Sequence, residues 1–200
     1  MLILRSSPAS PFGRKVKIAA ALCGLSERIQ MEKADTTDPA DSLRRQNPLG
    51  KMPVLILEDG SRLYDSGVIV EWLDHEAGGG IVIPQGPARF PALVLQALAD
   101  GIMDASILTI YEGRYRPEEK HHQPWLDHQA GKVDRALAEL ERQPPPLDGA
   151  PHIGHVTLAC ALGYRDFRFP GTWREGHPRL VEWLDRFTAA VPAYEATRPY

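Results

Sequence analysis

The stretch from Asn47 to Leu57 reads NPLGKMPVLIL, and its last four residues form a continuous apolar run that predicts a buried strand. Asp59-Gly60 follows as a strong turn signal, and Arg62-Leu63-Tyr64 predicts the returning strand of a hairpin. Hairpin strands pair antiparallel, so the sheet that contains this stretch has at least one antiparallel pair.

The residues before this hairpin predict a strand, a helix and a second strand. Met1–Leu4 is a short apolar run, Ser10-Pro11 has the form of a helix cap followed by proline at the first helical position, and Gly24 supplies the stop. Ile29–Lys33 alternates as a strand, and Asp41–Gln46 predicts a short helix. Because strands joined through a crossover helix pair in parallel, we predict a mixed sheet.

After the hairpin, Ser66 is predicted to cap a third helix that Gly78-Gly79-Gly80 ends. The proline and glycine residues between Ile83 and Pro87 indicate a linker. Beyond the linker the apolar periodicity predicts only helices, near residues 90–115, 125–142, 156–169 and 178–189. We therefore predict an α/β domain over residues 1–80 and an all-helical domain over residues 88–200.

Composition excludes several classes of protein. Of the 200 residues 43% are hydrophobic and 24% charged, which is ordinary for a globular chain, and a net charge of -3 gives no basic excess for nucleic acid or an anionic membrane surface. Two cysteines, Cys23 and Cys160, are too few for a disulfide framework or a multi-cysteine zinc site. The apolar start spans four residues and no uninterrupted apolar run of about 18 residues occurs, so we expect a soluble, cytoplasmic chain.

Three short stretches carry a resemblance: Ser10-Pro11-Phe12, the residues from Asn47 to Leu55, and Asp65-Ser66. In this order and spacing they resemble the glutathione site of the glutathione S-transferase superfamily, most closely its serine-type bacterial members. The helical half is similar as well, at Ala97–Gly101 and Cys160–Tyr164. The resemblance implies a thioredoxin-like domain followed by a helical domain, glutathione as co-substrate, no metal, and a homodimer. Trp72 and the helix from Phe90 are candidates for the interface, with core packing as the alternative.

Ser10 is the residue to which the resemblance assigns catalysis. The reactive form of glutathione is the thiolate, and a serine hydroxyl can donate a hydrogen bond to that sulfur while it accepts another from the backbone. The positive end of the first helix acts in the same direction. The alternative is that Ser10 only caps the helix at the Phe12 or Gly13 amide, with Ser7 as the backup for the catalytic role.

The resemblance also implies that Phe12, Lys51, Met52 and Val54 bind glutathione. In the resembled family the bond that corresponds to Met52–Pro53 is cis, and it turns the backbone of the next residue outward. The N–H and C=O of Val54 would then pair with the cysteine backbone of glutathione, as in strand addition. The alternative is an ordinary trans proline that opens a strand, which base rates favour.

Asp65 and Ser66 stand where the family binds the γ-glutamyl end. Ser66 and the amides of the third helix suit its carboxylate, and Asp65 suits its ammonium. Lys51, Arg44 and Arg45 are candidates for the glycine carboxylate. A helix cap with a solvated charge, and ordinary surface cations, are the alternatives.

For the second substrate we predict a pocket in the helical domain. Tyr111 and Tyr115 are four residues apart on one helical face, and Arg114 and Trp173 complete the candidates. Core packing of these aromatic side chains is the alternative.

His152 and His155 precede the apolar helix near residues 156–169. The family usually has Ser or Thr followed by Asp at these positions, so we expect the capping box to be missing. A metal site at this pair is not expected, because no third ligand joins it.

Together these residues predict a glutathione transferase whose thiolate attacks a small, partly apolar electrophile. An isomerase, a dehalogenase or a peroxidase would use the same site differently. A non-catalytic scaffold of the same fold is the alternative from another class, and the intact Ser10, Asp65 and Ser66 and the absence of a basic patch argue against it.

Overall fold

The computed structural model describes residues 1–199. These residues divide into two compact units: residues 1–89 together with residues 192–199, and Phe90–Val191. The strands of the first unit are β1 (Leu2–Ser6), β2 (Ile29–Lys33), β3 (Val54–Ile56) and β4 (Arg62–Leu63). The helices are α1 (Pro11–Leu22), α2 (Leu43–Gln46), α3 (Ser66–Glu76), α4 (Arg89–Tyr115), α5 (Gln123–Arg142), α6 (Ile153–Arg168), α7 (Pro178–Ala190) and α8 (Ala193–Ala196).

The sheet has the spatial order β2-β1-β3-β4. β1 runs parallel to β2, with Leu2 opposite Ile29, and antiparallel to β3, with Arg5 opposite Val54. β4 runs antiparallel to β3. The hairpin and the mixed sheet predicted from the sequence are therefore confirmed, as is the change to an all-helical second half.

α3 begins one residue earlier than the sequence suggested. Asp65, not Ser66, is the N-cap, because its carboxylate accepts a hydrogen bond from the backbone N–H of Gly67 at 2.9 Å. Ser66 is the first helical residue and is buried. The helix cap predicted at Ser66 therefore belongs to Asp65.

The C-terminal boundary also differs from the prediction, which placed residues 88–200 in one domain. α8 packs against α1 of the first unit. The buried guanidinium of Arg14 donates a hydrogen bond to the carbonyl of Tyr194 at 2.6 Å and lies 3.8 Å from the centre of the Tyr194 ring. Four helical residues are too few to show a periodicity, so the sequence pattern did not reveal α8.

Asp74 fixes the segment that follows α3. Its carboxylate is 6% exposed and accepts hydrogen bonds from the backbone N–H groups of Gly80, Ile81, Val82 and Ile83 at 2.7–3.1 Å. Burial raises the pKa of Asp74, but these N–H donors outweigh burial and hold the pKa below its ordinary 3.8. The chain that leads into the predicted linker, up to its first residue Ile83, is therefore anchored to α3 by one buried carboxylate.

Asp74→Ala should lower the free energy of unfolding by at least about 3 kcal/mol, because it removes a charged acceptor and leaves four N–H groups without it. Urea unfolding measures the change. Glu71→Ala on the same helix is the matched control: Glu71 is exposed and forms a surface ion pair with Arg89, which contributes less than about 1 kcal/mol. Equal losses in the two variants would contradict the anchoring role of Asp74.

α6 is buried from Ile153 to Tyr164 and forms the core of the second unit. The expectation that its capping box is missing was wrong. His152 accepts a hydrogen bond from the N–H of Gly154 through Nδ1 at 3.2 Å, and Nδ1 of His155 accepts one from the N–H of His152 at 3.3 Å. An imidazole nitrogen supplies the acceptor that a serine or aspartate supplies elsewhere.

The capping histidines also stack on each other, with ring centres 3.6 Å apart. Burial and, after it, the charge of the neighbouring His152 together lower the pKa of His155 to about 4. Burial lowers the pKa of His152 as well. Both rings are therefore neutral at pH 7, which the acceptor role of each Nδ1 requires.

Stability should fall as the pH falls from about 6.5 to about 4. In this window the unfolded chain binds a proton at His155 that the folded chain does not, so acid favours unfolding by up to about 3 kcal/mol. Thermal or urea unfolding at a series of pH values measures the slope.

His155→Gln should flatten this slope, because glutamine keeps an acceptor at the third helical position and does not titrate. His128→Gln on the exposed surface of α5 is the control and should leave the slope as it is. The same slope in wild type and His155→Gln would show that another group governs the acid sensitivity.

One helical segment, Gly86–Tyr115, is long and apolar enough by length and composition to cross a membrane, with a mean hydropathy of 1.5. Asp100 and Asp104 interrupt its apolar run, so the segment does not contain the uninterrupted run of about 18 apolar residues that a membrane span predicts. Core helices of soluble proteins pass the same test, so the finding is weak evidence for a membrane span.

Candidate functional site

Sheet topology brings the three predicted stretches of the α/β unit to one edge. β1 runs toward Ser10, and β3 runs in the opposite direction, so the end of β1 and the start of β3 share an edge. β4 runs opposite to β3, and its end therefore lies at that edge too. The stretches that begin at Ser10, Met52 and Asp65 leave or enter the sheet there.

Ser10 is the N-cap of α1. Its backbone is extended, with φ -79° and ψ 116°, and its Oγ accepts a hydrogen bond from the N–H of Gly13 at 3.1 Å. Among residues 1–199 no acceptor takes the hydroxyl proton of Ser10. The hydroxyl therefore combines the predicted cap with a donor that is still available, at the positive end of a 12-residue helix.

Gly13 allows α1 to approach β1 closely. A Cβ at this position would lie 1.9 Å from Oγ of Ser6, which is a steric clash. Ser6 is 2% exposed and packs under the first turn, whereas Ser7 is half-buried. Of the serines before α1, Ser7 and Ser10 are thus the ones that solvent reaches.

The segment before β3 is held by Asn47, which begins the second of the three stretches but received no role of its own from the sequence. Its Nδ2 donates to the carbonyl of Lys51 at 2.9 Å and its Oδ1 accepts from the N–H of Leu49 at 3.0 Å. The Met52–Pro53 bond that follows is cis. An asparagine between a short helix and a proline predicts a turn. The sequence therefore indicated a turn at Asn47, but not the two side-chain hydrogen bonds that hold it.

Val54 is fully buried through its side chain and begins β3. Its partner in β1 is Arg5, and the described pairing of β3 with β4 starts one residue later, at Leu55. Met52 is half-buried against the small core beneath this strand. The side of the Val54 backbone that faces β4 thus takes no part in the described pairing of the strands.

The start of α3 presents Asp65 to solvent and Ser66 to the interior. One carboxylate oxygen of Asp65 caps the helix at Gly67, and no group among residues 1–199 donates a hydrogen bond to the other oxygen. The Tyr64–Asp65 peptide bond is cis.

The three cations considered for a carboxylate differ in their contacts. Arg44 donates to the carbonyls of Asp38 and Thr36 at 2.7 and 3.0 Å, which fixes its guanidinium. Lys51 and Arg45 are exposed, and neither side chain has a hydrogen-bond partner within residues 1–199. Lys51 is the candidate next to Met52 and Val54.

The helical unit contains a cavity of about 570 Å³. Two of the four residues predicted for the second-substrate pocket, Tyr111 and Tyr115, line it, with their rings in an edge-to-face contact at 5.4 Å. The other lining residues are Leu108, Glu112, Arg116, Lys120, His122 and Trp125.

The other two predicted pocket residues lie elsewhere. Trp173 is 2% exposed and donates through Nε1 to Asp166 at 2.8 Å, so it belongs to the core and not to the cavity. Arg114 does not line the cavity, but its guanidinium lies 5.0 Å from the centre of the Tyr111 ring. The sequence alone does not show whether an aromatic side chain packs in the core or lines a cavity. For this reason the prediction for Trp173 was wrong.

Glu112 organises the cavity and was also missed. Its buried carboxylate accepts a hydrogen bond from Arg116 at 2.5 Å and another from the backbone N–H of His122 at 3.0 Å. The Arg116 hydrogen bond is the main reason that the pKa of Glu112 lies below its ordinary value. Glu112 is thus a paired carboxylate that ties the segment after α4 back to the helix.

The buried thiol of Cys23 is a poor nucleophile, and the part of the chain that the structure describes has no cluster of metal ligands. Burial raises the pKa of Cys23 to about 11 and the charge of Asp74 adds to the shift, which makes this thiol unreactive. Within residues 1–199 no group of three or more His, Cys, Asp or Glu side chains is placed to hold a metal ion.

Family models match both halves of the chain. The model described as the glutathione S-transferase N-terminal domain matches residues 9–76, and the C-terminal domain model of the same family matches residues 123–186. The first match contains Ser10, Pro53, Asp65 and Ser66.

Similar proteins span the whole chain. The uncharacterized GST-like protein YibF of Escherichia coli is 32% identical over 91% of both chains. A glutathione transferase family member of Pseudomonas fluorescens is 42% identical over all of both chains, with a TM-score of 0.91 in complex with glutathione and 0.87 in complex with S-(propanoic acid)-glutathione. A glutathione S-transferase of Methylobacillus flagellatus with bound glutathione is 32% identical, with a TM-score of 0.91 and full coverage of both chains.

The fold, the arrangement of the three stretches at one sheet edge, the two domain matches and the full-length relatives lead to one conclusion: this chain belongs to the glutathione S-transferase superfamily.

Proposed function

We propose that this chain is a glutathione transferase that joins the sulfur of glutathione to a small, partly apolar electrophile. The observation that carries the proposal is Ser10, whose hydroxyl accepts a bond from the first turn of α1 and keeps its proton available at the edge where Met52 and Asp65 also lie. Family membership supports the same chemistry. The cytoplasmic location remains a prediction.

The chemical task at Ser10 is to hold glutathione as its thiolate. A free thiol has a pKa of about 8.5, so only a few per cent is ionised at neutral pH. Lowering that pKa by about two units makes most of it reactive and takes roughly 2.7 kcal/mol of differential stabilisation. One charge-assisted hydrogen bond from the Ser10 hydroxyl and the positive end of α1 together supply an effect of this size.

The rest of glutathione is assigned to the other two stretches. The backbone of Val54 pairs with the cysteine residue, because its edge toward β4 lies outside the described ladder. The second carboxylate oxygen of Asp65 takes the γ-glutamyl ammonium, and Ser66 with the start of α3 takes the adjacent carboxylate. Phe12 and Met52 flank the thiol, and Lys51 binds the glycine carboxylate.

The electrophile is assigned to the cavity of the helical unit, which Tyr111 and Tyr115 line. Its aromatic rings suit an apolar molecule, and about 570 Å³ suits a small one. A crystal structure of the Pseudomonas fluorescens relative contains bound S-(propanoic acid)-glutathione. A glutathione derivative substituted at sulfur supports conjugation as the reaction class.

Calorimetric titration with glutathione, followed by product analysis on a panel of electrophiles, tests the proposal. A stable thioether product indicates a transferase; release of halide without a retained thioether, a rearranged substrate, or oxidised glutathione would indicate a dehalogenase, an isomerase or a peroxidase. Absence of glutathione binding would contradict the proposal and favour a non-catalytic scaffold.

Ser10→Ala should lower turnover near neutral pH by roughly ten- to a hundredfold, because loss of the hydrogen bond raises the pKa of the bound thiol by about one to two units. The pH–rate profile should shift upward, and raising the pH should recover part of the rate. Glutathione affinity should change much less, because Val54, Asp65 and Ser66 hold the rest of the tripeptide.

Ser7→Ala is the matched control, because Ser7 is half-buried in the same loop. Ser10→Ala also removes the helix cap and should cost about 1 kcal/mol of stability whatever its catalytic role. Ser10→Thr keeps the hydroxyl and should retain most of the activity. Wild-type turnover and an unshifted pH profile in Ser10→Ala would reduce Ser10 to a helix cap.

We also propose that the chain is a homodimer. α4 leaves Phe90 72% and Val94 67% exposed on one helical face, and only 28% of the apolar stretch around this helix is buried within the chain. An apolar face of this kind suits a second copy of the chain. Trp72, which is half-buried on α3, is the other candidate for the interface.

Sedimentation at micromolar concentration should give a particle of about twice 22.2 kDa. Val94→Lys should shift the equilibrium toward the monomer, because it places a charge in the apolar face. Ala130→Lys on the exposed side of α5 should not. A 22 kDa particle for the wild type would contradict the dimer.

A further inference from the structure

The cavity of the helical unit has two walls. α4 contributes Leu108, Tyr111 and Tyr115 to its lining, and the chain that follows α4 contributes a second wall that ends at Trp125, in the first turn of α5. Leu108, Tyr115 and Trp125 are large apolar side chains that are exposed to solvent. The space between the walls therefore depends on what holds the start of α5 against α4.

Glu112 joins the two walls. It is buried on α4, one helical turn after Leu108, and Oε1 of its carboxylate accepts a hydrogen bond from the backbone N–H of His122 at 3.0 Å. The carbonyl of His122 in turn accepts a hydrogen bond from the backbone N–H of Trp125 at 3.0 Å. Two consecutive hydrogen bonds thus connect a buried carboxylate of one wall to the backbone of the indole residue in the other.

The indole of Trp125 is packed on its own helix. Its ring is stacked on that of His128, with the ring centres 5.9 Å apart, and the ammonium of Lys132 lies 6.0 Å from the indole centre. His122 is the N-cap of α5, but within residues 1–199 its side chain accepts no capping hydrogen bond. The indole therefore follows the start of α5, which Glu112 holds through the backbone.

Both carboxylate oxygens of Glu112 are occupied. Oε2 accepts a hydrogen bond from Arg116 at 2.5 Å, and Oε1 accepts the one from His122. A carboxylate between a guanidinium and a backbone N–H keeps its negative charge and is a poor acceptor for a substrate proton. The contacts of Glu112 therefore favour a role in positioning over a role as a base.

We propose that Glu112 is a positioning residue for the electrophile: it holds the backbone of His122 and thereby places the indole of Trp125 opposite the tyrosines of α4, so that an apolar group on the sulfur of glutathione fits between them. This inference rests on the proposed function, because it takes the cavity as the site of that group. A wall that is already in place binds the group more tightly, since the ligand does not have to order it.

The affinity of S-benzylglutathione relative to that of glutathione tests the inference, because this ratio isolates the contribution of the group on sulfur. Calorimetric titration measures both affinities. The wild type should bind S-benzylglutathione at least about tenfold more tightly, since the benzyl group leaves water. Glu112→Ala should reduce the ratio about three- to tenfold and leave the affinity for glutathione within about twofold.

Two conservative variants separate the position of the acceptor from its charge. Glu112→Gln should retain most of the ratio, because its amide oxygen can still accept from the N–H of His122. Glu112→Asp keeps the charge but is one methylene shorter, so it should lower the ratio. Glu139→Ala, which removes the carboxylate of an exposed ion pair with Arg142, is the matched control and should leave the ratio unchanged.

Combination with Trp125→Ala distinguishes positioning from a general structural defect. Trp125→Ala alone should lower the ratio, because it removes the indole from the second wall. In that background Glu112→Ala should lower the ratio no further, since the side chain that it positions is gone. A general defect would lower the ratio by the same factor in both backgrounds.

Equal affinity of the wild type for the two ligands would overturn the inference, and so would an unchanged ratio in Glu112→Ala or an equal loss in the Trp125→Ala background. If Glu112→Ala does not fold, equal ratios in Glu112→Gln and Glu112→Asp would overturn it. These results leave the proposed function in place as long as glutathione itself binds. If neither ligand binds, the proposed function fails and the inference fails with it.

Discussion

The antiparallel pairing of Arg5 with Val54 is the contact on which the arrangement of the α/β unit depends. β1 is paired on both sides, in parallel with β2 and antiparallel with β3, so its end fixes where the neighbouring segments begin. The chain leaves β1 for the Ser10 cap at the place where Val54 enters β3. A shift of this register by one residue would turn the buried side chain of Val54 to the other face and separate the two stretches.

Buried polar groups then hold the segments that strands and helices leave unfixed. Asp74 accepts hydrogen bonds from four backbone N–H groups after α3, and Glu112 accepts one from the backbone of His122 after α4. Asn47 forms hydrogen bonds with the backbone of the loop before Met52. Each lies on a helix or directly after one, and each satisfies donors that a loop does not pair within itself. The backbone of each of these loops is thereby bound to a buried side chain.

The two histidines before α6 show that a cap depends on an acceptor at the correct position and not on one residue type. His152 and His155 perform both halves of the capping box through Nδ1, with stacked rings in place of a serine and an acid. A neutral imidazole can accept at one nitrogen, whereas an imidazolium cannot. The substitution therefore preserves the geometry of the helix start and adds a dependence on pH that the usual residues would not have in this range.

The sequence by itself determined the elements and their order: the hairpin at Asp59-Gly60, the mixed sheet, the helical second half and the cap at Ser10. These depend on local chemistry, namely turn residues, apolar periodicity and the short reach of a capping side chain. Only the tertiary structure decided which residues face each other across elements. It placed Trp173 in the core and packed α8 against Arg14, because the burial of a side chain and the distances between residues far apart in the chain are set by packing.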